Sequence, residues 1–89
     1  SPRAVRSILA TMFKGQTTPT WTQAEVLVAL LKHEDWGVRA DAAKLVRRWQ
    51  ELADEDEMLV EQIVPAVVTL EEMLETETDP YVLFSAGVE

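Results

Sequence analysis

Apolar residues fall at helical spacing almost from the first residue of this chain. Val5, Ile8, Leu9, Met12 and Phe13 recur at intervals that place them on one helical stripe. Ser1-Pro2 suits the start of that helix, because serine caps and proline fits the first turn. Gly15 suits the left-handed position just past its end, and "QTTPT" at residues 16–20 reads as a short connection. A second stripe, Trp21, Ala24, Leu27, Val28 and Leu31, predicts a helix that opens near Trp21 or Thr22. Thr22 and Glu25 are spaced as a capping box, and Lys32 and His33 close the helix. Val26, Ala29 and Leu30 widen its apolar face, so this helix calls for neighbours on more than one side.

The stretch "HEDWGVRADAAKLV", residues 33–46, interrupts the apolar pattern with charge, an aromatic and a glycine. Glu34-Asp35-Trp36-Gly37 reads as a tight turn, with Asp35 placed to cap the next helix. Val38, Ala42, Leu45, Trp49 and Leu52 then fall at steps of four, three, four and three. They predict an amphipathic helix of about four turns whose solvent face carries Arg39, Asp41, Lys44, Arg47, Arg48 and Glu51. "DEDE", residues 54–57, ends it and supplies acids to the start of the next helix. Residues 57–76 read as helical again, and Pro65 inside them either starts a new helix or kinks a long one. Val67, Leu70, Met73 and Leu74 continue the stripe, after which "TETDPYVLFSAG" repeats the signal of turn and then helix. The pattern is all-α, with about four to five helices.

Three segments can be laid over one another: "SPRAVRSILATMF", "EDWGVRADAAKLV" and "TDPYVLFSAGVE". Val5, Val38 and Val82 coincide, and Leu9, Ala42 and Ala86 follow each valine by four residues. The spacing lies near the period of helical solenoids. With Asp35, Val38, Arg39, Ala42 and Ala43 in one unit, Asp79, Pro80 and Val82 in the next, and Pro65 early in a first helix, the chain resembles HEAT repeats. That resemblance implies antiparallel helical hairpins stacked as a short right-handed α-solenoid. It divides the single domain 1–89 into a partial repeat at 1–15, a repeat at 20–53 and a partial repeat at 57–89. It also implies a structural ladder of Asp35, Arg39 and Asp79, in which Arg39 bonds the aspartate of a neighbouring turn. Leu83 departs from the pattern, since arginine would be expected there. The incomplete first and last units lead us to read the chain as a segment excised from a longer one.

Charge sharpens this picture. The net charge is −8, and it is unevenly placed. Residues 1–14 hold Arg3, Arg6 and Lys14 and no acid, whereas residues 51–89 hold twelve acids and no lysine or arginine. An acidic half repels phosphate backbones, which weighs against nucleic acid as a partner and suggests a basic protein surface instead. The acidity fits, as an alternative, adaptation to high salt. Cysteine is absent, so disulfides and thiolate metal sites are excluded. The longest apolar run, Val26 to Leu31, is too short to cross a bilayer, and no signal segment opens the chain. These features lead us to expect an intracellular, cytoplasmic setting without membrane contact.

Candidate chemistry is sparse. The lone histidine, His33, sits beside Glu34 and Asp35 but reads as a helix end, and Ser7, Ser85 and the threonines lack a nucleophile motif. Glycines 15, 37 and 87 are isolated, so no phosphate-cradling loop is expected. No catalytic, metal or cofactor site is expected, and no cofactor. Trp21, Trp36 and Trp49 could line a ligand box, but Trp21 and Trp49 lie on apolar stripes and read as core. Trp36, in a turn, is the aromatic expected at the surface, and Glu71, Glu72 and Glu75 form an acidic helix face. These four residues are the candidate partner-binding positions of a non-catalytic interaction or scaffold module. The alternative is a structural spacer that supports another domain. Self-association is expected of either.

Overall fold

A computed structural model describes residues 1–15 and 21–88, and of residues 21 and 22 the backbone alone. Among these residues lie five α-helices and no strand: α1 (Pro2–Gly15), α2 (Trp21–Leu31), α3 (Trp36–Ala53), α4 (Glu57–Thr76) and α5 (Pro80–Ser85). The connection at 16–20, the packing of Trp21 and the Thr22 capping box lie outside the described residues.

The helix starts reflect local side-chain chemistry. Asp35 accepts a hydrogen bond from the Val38 N–H at 3.0 Å. Asp56 accepts from the N–H groups of Met58 and Leu59, and Asp79 from those of Tyr81 and Val82. Each carboxylate satisfies donors that the first helical turn leaves without an intrahelical acceptor. At the other end of α5, the Val88 N–H reaches the Leu83 carbonyl at 2.9 Å and the Gly87 N–H reaches Phe84 at 3.0 Å. Gly87 takes the left-handed conformation that this termination requires, with φ 83°. Gly15 was the expected left-handed residue, but it is the last residue of α1 instead.

Pro65 does not start a new helix, because α4 runs unbroken from Glu57 to Thr76. The carbonyl that loses its intrahelical donor belongs to Glu61, an exposed residue. One turn after the proline, the Thr69 hydroxyl donates to the Pro65 carbonyl at 2.8 Å.

Helix α3 is the hub, packing against each of the other four helices, while α2 also packs against α4. Its expected stripe is buried at Val38, Ala42, Leu45 and Trp49, with Leu52 partly buried. Ala40, Ala43, Val46 and Ala53 are buried as well, so apolar contact surrounds much of this 18-residue helix. Small alanines on several sides let neighbouring axes approach closely. Trp49, 1% exposed, belongs to the same core cluster as the buried leucines of α2, α3 and α4.

The expected neighbours of α2 on more than one side are α3 and α4, although Val26 on its wide apolar face stays exposed and α3 is the more enclosed helix. One expectation is corrected here. The supposed solvent face of α3 is largely occupied: only Lys44 and Glu51 are exposed, while Arg39, Asp41, Arg47 and Arg48 are partly buried. These longer side chains tie α3 to its neighbours. Arg47 Nε, for example, donates to the Ala86 carbonyl at 2.7 Å and so secures the end of α5. On α1, Leu9 is buried and Val5, Met12 and Phe13 are partly so, but Ile8 faces outward at 61% exposure.

Candidate functional site

The interrupting stretch at residues 33–46 builds a surface rather than a simple turn. With Asp35 as cap, Trp36 is the first residue of α3 and Gly37 the second, so the expected four-residue turn is already helical at its end. The helix turns Val38 and Gly37 inward and leaves Trp36 46% exposed. Tyr81, on the first turn of α5, meets the indole edge to face, with ring centroids 5.4 Å apart and planes at 86°. Tyr81 is itself 45% exposed. This is the favoured geometry for paired aromatic quadrupoles.

Arg6 of α1 completes the cluster. Its guanidinium carbon lies 5.7 Å from the Trp36 ring centroid, within the range of a cation–π attraction. Its Nε donates to Asp41 at 2.9 Å, which fixes the side chain across the start of α3. That hydrogen bond is the main reason the Arg6 pKa is raised. Gly37 makes the position possible: a Cβ there would stand 2.7 Å from Arg6 Nη1 and 2.9 Å from Cζ. The glycine leaves room for the Arg6 guanidinium against the start of α3. Side chains from three helices thus converge on one exposed aromatic pair.

A second polar feature lies where the α2–α3 turn meets the α4–α5 turn. Arg39 Nε donates to Glu77 Oε1 at 2.7 Å and Nη2 to Oε2 at 3.2 Å. Nη1 donates to the carbonyls of His33 and Glu34, each at 2.9 Å. Glu77 also accepts the N–H groups of Thr78 and Asp79 at 3.1 Å, and its side chain is 6% exposed. The Arg39 hydrogen bond is the chief cause that lowers the Glu77 pKa; burial opposes it, and the backbone donors assist. The same bond raises the Arg39 pKa. The ladder expected of Asp35, Arg39 and Asp79 is therefore corrected. Arg39 reaches Glu77, two positions before Asp79, while Asp35 and Asp79 serve as helix caps. The preceding arginine, Arg6, likewise reaches Asp41 rather than Asp35.

Glu71, Glu72 and Glu75 are exposed on α4. Glu72 lines an open cleft with Lys32, His33, Arg39 and Glu77, which Trp36 does not line. The candidate positions thus divide between two places, the aromatic cluster and the acidic face. His33 Nδ1 accepts the Asp35 N–H at 3.0 Å, which spends one ring nitrogen on the turn. Among the described residues, no group of three or more acidic, histidine or cysteine side chains is placed to hold a metal ion. No helix among them is long and apolar enough to cross a membrane.

Sequence reasoning singled out Trp36 but missed Tyr81 and Arg6 beside it. The repeat alignment carried a usable signal: it sets Trp36-Gly37 against Pro80-Tyr81, and so places both aromatics at helix starts on the same edge. Trp, Tyr and Arg are the side chains most enriched among residues that dominate protein interfaces. Here they stand on capped helices, whose backbones hold them in place.

Comparison with family models, with curated proteins and with solved structures returns no match.

Proposed function

We propose that this chain is a non-catalytic protein-binding module that anchors a partner on Trp36 and Tyr81. The observation that carries this reading is the half-exposed aromatic pair held by Arg6, which is itself pinned to Asp41. Large aromatics presented on rigid elements supply contact area at low cost in conformational entropy. The exposed acidic face of Glu71, Glu72 and Glu75 supports a basic partner, steered by complementary charge.

The architecture we propose for the module is a short HEAT-like solenoid. α3 packs between α1 and α5, and α2 packs on α4, an order compatible with two rows of helices. Most residues that align between repeats also occupy like places, Val5 excepted, which is only partly buried. Val38 and Val82 are fully buried, as are Leu9, Ala42 and Ala86 or nearly so, and Asp35 and Asp79 both cap.

The test is selection of short peptides from a random display library on the folded chain, followed by counter-screening on Trp36→Ala. Enrichment of lysine- and arginine-bearing peptides that lose binding to Trp36→Ala supports the reading. Peptides indifferent to Trp36→Ala would move the interface, and recovery no better than background would favour a structural spacer.

A further inference from the structure

We propose that the α1–α3 face binds an acidic peptide segment, through a basic and aromatic patch built on Phe13, Lys14, Lys44 and Arg48. Lys44 Nζ lies 4.8 Å from the Phe13 ring centroid, and the Arg48 guanidinium carbon lies 6.0 Å from it. Both distances fall within the range of a cation–π attraction. Lys14 follows Phe13 in the last turn of α1 and lines, with Phe13 and Lys44, an open hollow of about 170 Å³. Leu9, Ala10 and Asp41 supply its other walls. None of these three cations belongs to the Trp36–Tyr81 cluster or to the acidic face of α4.

Helical spacing brings the charges together. Lys44 and Arg48 stand four residues apart on α3, the separation at which like charges repel. Three of the chain's eight bases gather on this one ring, although the net charge is −8. Arg6 and Arg39 are spent on Asp41 and Glu77. Among the described residues, neither Lys14 nor Lys44 has an acid at ion-pair distance. Arg48 meets the exposed Glu51 at 3.5 Å, and its Nε is buried without an acceptor. An incoming carboxylate can engage that fork more closely than Glu51 does. Asp41, the acid beside the hollow, is already held by Arg6 at 2.9 Å.

The apolar walls define the rest of the ligand. A cavity of about 150 Å³ accepts benzene, so the hollow between Leu9, Ala10 and Phe13 has room for one apolar side chain. Carboxylates on either side of it would then meet Lys14, Lys44 and Arg48, which also steer the approach. A long phosphate backbone matches this patch less well, because it runs on to the acidic remainder of the chain and is repelled there.

The probe is a fluorescently labelled, glutamate-rich peptide with one central leucine, titrated with the whole chain and followed by anisotropy. Wild type should bind it, with affinity falling as salt rises. Lys14→Glu with Lys44→Glu, at two exposed positions, should weaken binding by about tenfold or more. Replacing the leucine of the peptide with serine should weaken it as well. Circular dichroism checks the fold; if the double variant unfolds, Lys14→Gln and Lys44→Gln replace it. Absence of binding, a double variant that binds as wild type does, or a peptide indifferent to loss of its leucine would overturn the proposal. Tighter binding of a single-stranded oligonucleotide or of phosphatidylserine vesicles in the same buffer would overturn it in favour of phosphate. Light scattering without peptide that shows association of wild type, abolished in the double variant, would overturn it in favour of a second copy. Trp36→Ala should bind the acidic peptide unchanged, so failure here is distinct from failure of the partner-binding reading.

Discussion

Arg39 clasps Glu77 through two hydrogen bonds, at 2.7 and 3.2 Å, and thereby joins the turn before α3 to the turn before α5. The pair is a fastener between segments 38 residues apart. Removing one partner of such a charge-assisted set costs about 1.5–3 kcal/mol, so Glu77→Gln should lower stability by that amount at neutral pH. The lowered Glu77 pKa sets the sign of the pH dependence. Its contribution is fully present above the ordinary glutamate value of about 4.3 and is lost as pH falls through the lower folded value. Urea unfolding of both chains should therefore give curves that differ above that range and converge in stronger acid. A difference that stays constant through acid would show that Glu77 is not held as a carboxylate.

Gly37→Ala should fail to stabilise α3. Alanine in place of a helical glycine ordinarily gains about 0.5–1 kcal/mol, but here the new Cβ would meet Arg6 Nη1 at 2.7 Å. The Arg6 guanidinium must shift to make room, and its contacts with Asp41 and Trp36 resist that shift. In an Arg6→Ala background the obstacle is gone, and the gain should return. A double-mutant cycle reads this directly, and additivity of the two changes would refute the close approach.

Trp49→Ala should cost about 3–5 kcal/mol, because it removes a large side chain from the core at a residue 1% exposed. Trp36→Ala, at a half-exposed site, should leave most of the stability intact. A loss under half a kcal/mol for Trp49→Ala, against an ordinary expectation of about 3–5 kcal/mol, would remove that residue from the core.

Reversing Glu71, Glu72 and Glu75 to lysine should weaken binding of a basic peptide, chiefly through slower association. Added salt should weaken the wild-type interaction in the same way, since exposed charges are screened over about 8–10 Å at ordinary ionic strength. Binding indifferent to both would place the interface away from the acidic face. If acidity instead reflects a high-salt habit, stability without any partner should rise steeply in molar salt.

Features that depend on near neighbours were legible in the sequence. Asp35 and Asp79 announce their helices because a cap bonds donors two or three residues ahead. Val38, Ala42, Leu45 and Trp49 announce a buried stripe because helical spacing is local. The fasteners were illegible for the opposite reason. Arg6, Arg39 and Arg47 find their acceptors 35, 38 and 39 residues away, and an arginine's identity says nothing of which distant group it will reach. Ile8 and Leu9 look alike in the pattern, yet α3 covers only Leu9. The surface around Trp36 shows the same limit. Its indole was expected outside, while the tyrosine and arginine that frame it come from two other helices.

Whether Trp36 anchors a protein partner is tested most directly by following tryptophan indole N–H signals in a nitrogen-15 spectrum. The titrant is the tightest peptide selected on the folded chain. The Trp36 indole should shift progressively to saturation while the buried Trp49 indole stays in place. A Trp36 signal that remains still while the peptide saturates the chain would contradict the anchoring role.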